Sequence, residues 1–87
     1  MAGSSFAFNK IDLDDGCEFL RSFTLGKQGF TQQDGAAGID RVNSQCEHLN
    51  ELFASGPDGV GAATIIADAK KCILAAQARL TLLRKKE

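Results

Sequence analysis

The 87-residue sequence contains no tryptophan, no tyrosine, a single proline and a single histidine. It also lacks an uninterrupted apolar run of the roughly 20 residues that a bilayer-spanning helix needs. A chain of this length forms one domain with a small core, which excludes a large enzyme with a deep pocket. The apolar content of 44% argues against disorder, because the chain can offset ordering entropy by burying surface.

Targeting signals and paired cysteines are scarce as well. The first ten residues carry no charged segment followed by an apolar one, so we expect no signal peptide. The three cysteines, Cys17, Cys46 and Cys72, are an odd number and form no Cys-x-x-Cys pair. Each falls on the apolar stripe of a predicted helix, so we expect buried, reduced thiols and a cytoplasmic location.

Three amphipathic segments predict an all-α fold, a small bundle with helices over about residues 12–25, 34–54 and 60–85. The second stripe is the most regular: Ile39, Val42, Cys46, Leu49 and Phe53 alternate spacings of three and four.

The helix ends are predicted from local residue types. Asp12 is a candidate N-cap for the first helix, and Thr31 or Asp34 begins the second. Gly26 and Gly29 are predicted to end the first helix and to form the turn that follows it. Pro57 lies in a short loop between the last two helices, which therefore form a long antiparallel hairpin. Residues 1–10 are predicted to be a flexible arm ahead of a single helical domain over 11–87, and the sequence leaves open whether this arm docks.

Chemical motifs are weak. The acidic cluster around Asp14 does not match a calcium loop, because placing Gly16 at the required position puts Ile11 and Leu13 at ligand positions. Cys46 and His48 are two residues apart and so point about 200° away from each other on a helix. We therefore predict no catalytic residue, metal site, cofactor or small-molecule substrate, and a protein that is not an enzyme.

The charge is segregated along the chain. Residues 1–69 hold four basic residues against ten acidic ones, whereas residues 70–87 hold six basic residues against one acidic one. Part of this asymmetry is ordinary compensation of a helix dipole. It also predicts that the basic helix end contacts an acidic surface, on this chain's own helices, another copy, a partner protein or nucleic acid.

A second apolar line runs beside the core stripe of the third helix and consists of Ala67, Leu74, Ala78 and Leu82. Because the first predicted helix has only about 14 residues, it covers about half the length of its neighbours, and we expect Leu74, Ala78 and Leu82 to stay exposed. The alternative is that the first helix and the arm cover them. The candidate partner-binding residues are Leu74, Ala78, Arg79, Leu82, Arg84, Lys85 and Lys86.

These features predict a small protein–protein interaction module: an adaptor, chaperone-like protein or regulatory subunit, acting as a homodimer or larger oligomer or with a protein partner. The alternative is a nucleic-acid-associated accessory protein that uses the basic C-terminal helix end. No aromatic residue interleaves with those basic residues for base stacking, which makes nucleic acid the weaker prediction. The sequence specifies neither the partner, the process nor the symmetry.

Overall fold

The computed structural model describes residues 6–86, which form three α-helices: α1 (Phe6–Thr24), α2 (Gln32–Phe53) and α3 (Gly59–Lys85). No strand occurs among these residues. Each helix packs against both others in a bundle 46 Å long and 18 by 15 Å across. The predicted all-α bundle, with α2 and α3 as a long antiparallel hairpin, is confirmed.

The start of α1 differs from the prediction. The helix begins at Phe6 rather than near Asp12, so residues 6–10 are helical. Phe6 is half-buried, and its ring packs edge-on against Phe53 of α2 with centroids 5.4 Å apart. This tertiary contact anchors the first turn of α1 on the bundle. Residues 1–5 of the predicted arm lie outside the described residues.

The acidic cluster therefore lies in the body of α1. No acidic residue occurs in the first turn, so the predicted N-cap role of Asp12 is wrong. The Asp12 carboxylate instead accepts a hydrogen bond from Nη2 of Arg41 on α2 at 3.3 Å, which is the one ion pair among residues 6–86. Asp14, Asp15 and Glu18 are all exposed.

The turn between α1 and α2 follows local rules. Gly26 has a φ of +75°, and the amide of Lys27 donates to the carbonyl of Ser22 at 3.2 Å. This hydrogen bond satisfies a carbonyl in the last turn of α1 that has no partner within the helix. Thr31 caps α2: its hydroxyl accepts from the Asp34 amide at 3.1 Å, and the Asp34 carboxylate accepts from the Thr31 amide at 2.8 Å. The prediction of an α2 start at Thr31 or Asp34 is confirmed to within a residue or two.

The core lies along the axis where the three predicted stripes meet. α1 and α2 contribute mostly large side chains, and α3 contributes mainly alanines. The buried apolar residues are Leu13, Cys17, Leu20, Phe23, Ile39, Val42, Cys46, Leu49, Ala62, Ala69, Ile73, Ala76 and Leu80.

Two glycines of α2 allow α1 to approach closely. Gly35 lies against the ring of Phe23, which a Cβ at this position would overlap. A Cβ on Gly38 would come within 2.9 Å of Cδ2 of Leu20 and 3.0 Å of the Phe19 ring. These glycines therefore make room for large side chains of α1.

Candidate protein-binding surface on the third helix

The predicted second apolar line forms the outer face of α3, defined here as Leu74, Ala78 and Leu82. Leu74 is 66% exposed and Leu82 is 47% exposed, as expected. Ala76 is fully buried, and Ala78, two residues further along the helix, points about 200° away from it. The outer face of α3 is therefore on the side of the helix opposite the core.

The reason for this exposure differs from the one predicted. α1 has 19 residues rather than about 14, and it still leaves Leu74 and Leu82 open. α1 and α2 both pack on the inner side of α3, so no additional length of α1 covers the opposite side. The exposure follows from the direction of the side chains and not from a short neighbouring helix.

Basic residues lie at both ends of the outer face of α3. Lys71 and Lys85 are seven residues before and after Ala78, on the same side of the helix. Arg84 and Lys86 follow at the C-terminal end, and all four basic side chains are exposed. None of them belongs to the Arg41–Asp12 ion pair, the one formed within residues 6–86, so they are available to acidic groups of another molecule.

Arg79 has a different environment from the other candidate residues. It is half-buried, and its Nη2 atom lies 3.0 Å from the position that a Cβ on Gly26 would occupy. Its guanidinium group therefore sits beside the C-terminal turn of α1, where the helix dipole favours positive charge. The buried Nε has no hydrogen-bond partner among the described residues. Arg79 packs between helices rather than standing on the outer face of α3.

A second exposed face went unnoticed in the sequence. Phe8 is 68% exposed and Ile11 is 59% exposed, on the side of α1 opposite the buried Leu13. Asp15 and Glu18 continue the same side, and we call these four residues the outer face of α1. The sequence signal for this face is a helical spacing of three and four residues through Phe8, Ile11, Asp15 and Glu18. The prediction of an arm over residues 1–10 left Phe8 outside the first helix and so hid this pattern.

One cysteine from each helix points toward the interior. Cys17 and Cys46 are buried as predicted, and Cys72 is half-buried. Burial, together with a hydrogen bond and close approach to Cys72, raises the pKa of the Cys17 thiol to about 12. Burial also raises the pKa of Cys46, against a smaller opposing effect of Lys70. The two buried sulfurs are therefore neutral thiols rather than nucleophilic thiolates at neutral pH.

The grooves between the helices also bring polar side chains near one another. Ser44, His48 and Asp12 line an open groove between α1 and α2, a residue set that sequence spacing did not reveal. No hydrogen bond within residues 6–86 joins Ser44 to His48 or His48 to Asp12, and the Asp12 carboxylate is paired with Arg41. In the same part of the chain, no three His, Cys, Asp or Glu side chains are placed to hold a metal ion.

No family model, curated protein or solved structure matches this chain. Within residues 6–86, none of the helices combines the length and apolar character that crossing a membrane requires. Function is therefore inferred from the surface of the bundle, where the outer face of α3 is the strongest candidate.

Proposed function

We propose that this chain is a small helical protein–protein interaction module that works as an adaptor, chaperone-like protein or regulatory subunit. It binds protein through the outer face of α3. The observation that carries the proposal is the exposure of Leu74 and Leu82 on a side of α3 that packs against neither α1 nor α2. Exposed leucines in line on one helix, with charged residues at both ends, are typical of helix-mediated association.

Energetics support this assignment. Burying a leucine side chain is worth about 1.5–3 kcal/mol, and at these two positions the fold gains only a fraction of it. A partner that covers both leucines gains the remainder. Ala78 lies four residues from each leucine, so the face has a low point between two larger side chains. Such a notch accepts one large apolar side chain from an opposing helix.

The flanking charges narrow the chemistry of the partner. Lys71 and Lys85 favour a protein surface that presents carboxylates beside an apolar residue. The partner is another copy, in a homodimer or larger oligomer, or a different protein. The three free cysteines support a reducing compartment, so the cytoplasm is part of this proposal.

Two measurements test the proposed function. Light scattering reports self-association of the purified chain at micromolar concentration. Affinity capture from the native host compares the wild type with the Leu74→Glu, Leu82→Glu double variant. The matched control is Val60→Glu, because Val60 is 83% exposed on α3 and lies 14 residues, about 21 Å, before Leu74.

We expect association or capture that the double variant loses and the control retains. A wild-type chain that stays monomeric and captures the same proteins as the double variant would overturn the proposal.

One observation favours nucleic acid as a second candidate partner: Arg84, Lys85 and Lys86 are all exposed at the end of α3. This alternative expects binding to duplex or single-stranded DNA or RNA that weakens steeply with salt and disappears when residues 84–87 are removed. A gel-shift titration at low ionic strength with no bound species eliminates it.

A further inference from the structure

We propose that the partner of the outer face of α3 is the outer face of α1 on a second copy of this chain. Copies then associate head to tail, with α1 of one against α3 of the next. This inference rests on the proposed function and names its partner. It is based on the shape of the two faces, the spacing of their charges and the exposure of their charged groups.

The apolar parts of the two faces are complementary in shape. The outer face of α3 has its notch at Ala78, between Leu74 and Leu82. The outer face of α1 presents Ile11 as an exposed β-branched side chain, with Phe8 one turn away. Docking Ile11 over Ala78 brings the α1 backbone close to α3 and places Ile11 between the two leucines, in the manner of a knob entering a hole.

The charges repeat at the same spacing. Glu18 is seven residues from Ile11, and Lys71 and Lys85 are each seven residues from Ala78. Seven residues are two helical turns, about 10.5 Å. With Ile11 over Ala78, Glu18 therefore falls opposite Lys71 when the helices run antiparallel and opposite Lys85 when they run parallel. Either direction places opposite charges together.

A symmetric contact between two α3 helices is disfavoured by the same spacing. If two copies meet at Ala78, the lysines seven residues on either side face each other. An antiparallel pair sets Lys71 against Lys85 of the second copy, and a parallel pair sets each lysine against its equivalent. Like charges in direct opposition oppose association. The acidic outer face of α1 removes this conflict.

The charged groups of both faces are available within the protomer. The one ion pair in the described part of the chain joins Arg41 to Asp12, and neither residue belongs to the two faces. Asp15, Glu18, Lys71 and Lys85 are exposed. A contact between copies can therefore pair them without breaking an existing ion pair.

A contact between two different faces is heterologous, so each copy keeps one free face after binding a neighbour. Such contacts close into rings when the rotation allows and otherwise extend into chains. We therefore expect the assembly to grow beyond two copies as the concentration rises, and to weaken with salt.

A charge-exchange experiment tests the pairing, with sedimentation velocity of the full chain as the readout. One variant carries Asp15→Lys and Glu18→Lys, and a second carries Lys71→Glu and Lys85→Glu. The control carries Glu47→Lys and Glu51→Lys, which are exposed positions on α2 with the same change in net charge as the first variant. Circular dichroism verifies that each variant keeps its helices.

We expect each face variant to raise the dissociation constant at least about tenfold, because like charges then meet. Mixing the two face variants should restore association to the wild-type level, since each supplies the complementary face that the other needs. The α2 control should associate as the wild type does.

The inference is overturned if the wild type remains monomeric at every concentration, if the α1 variant associates like the wild type, or if the mixture stays monomeric. A monomeric wild type that still captures a host protein through Leu74 and Leu82 refutes this inference alone. A chain that does neither refutes the proposed function as well.

Discussion

The two sides of α3 differ in how far their apolar side chains are covered by the other helices. The inner side carries small and large residues alike, with Ala69, Ala76 and Leu80 buried against α1 and α2. The outer side carries leucine at 74 and 82. Small inner residues let the helices approach closely and leave room for large side chains such as Phe23. Leu74 and Leu82 are 66% and 47% exposed, so they contribute less to the packing of the bundle than the buried residues of the inner side.

The largest effect is expected from the core that the inner side of α3 helps to enclose. Leu20 is fully buried, so Leu20→Ala removes buried methyl groups and leaves a cavity. We expect the free energy of unfolding to fall by about 2–5 kcal/mol, measured by urea denaturation followed by circular dichroism. A loss no larger than that of an exposed substitution would mean that the inner packing is not the source of stability.

Exchanging side-chain size on the two sides of α3 gives the next largest effect. Ala76→Leu inserts three carbon atoms into a fully buried position, and we expect it to lower the free energy of unfolding by about 1–3 kcal/mol. The matched control is Ala78→Leu, which adds the same atoms to the exposed side. We expect the control to change stability by no more than about 0.5 kcal/mol. Equal effects at both positions would contradict the distinction between the two sides.

Alkaline pH should lower the free energy of unfolding through deprotonation of Cys17. Its pKa rises from the ordinary 9.0 to about 12 in the folded state, so between these values the folded state retains a proton that the unfolded state has released. The contribution is therefore complete below pH 9 and is lost as the pH rises toward 12. Urea denaturation across this range should show falling stability with a shallower slope for Cys17→Ala. Identical slopes would contradict a buried neutral thiol.

The smallest effect on stability is expected at the outer face of α3. Leu74→Gln and Leu82→Gln each replace an exposed leucine, and we expect each to change the free energy of unfolding by no more than about 0.5 kcal/mol. The same pair should weaken association, measured by light scattering. A loss of stability comparable to that of Leu20→Ala would assign these leucines to the fold instead.

Much of the fold could be predicted from the apolar periodicity of the sequence and from its helix-capping residues. The stripe from Ile39 to Leu49 is buried as predicted, and Thr31 caps α2 through a reciprocal hydrogen-bond pair. These features depend on residues close together in the sequence. The start of α1 could not be predicted from the sequence, because it depends on a contact between Phe6 and Phe53, which lies in the next helix.

The candidate surface was predictable only where it depends on residues close together in the sequence. Leu74 and Leu82 were identified by spacing alone, and their exposure is confirmed. Arg79 shares their part of the helix in sequence, but its long side chain turns toward the end of α1 near Gly26, a neighbour that only the packed bundle reveals. Ile11 became a surface candidate only when α1 proved to extend through it.

The most direct test of the outer face of α3 as a protein-binding surface is hydroxyl-radical footprinting of the purified chain, read residue by residue by mass spectrometry. Leu74 and Leu82 are compared with Val60, which is exposed on the same helix about 21 Å before Leu74. Oxidation of both leucines should fall relative to Val60 as the protein concentration rises from nanomolar to high micromolar. Oxidation that stays in constant proportion at all three residues, in the pure protein and in host extract alike, would contradict a binding role for this face.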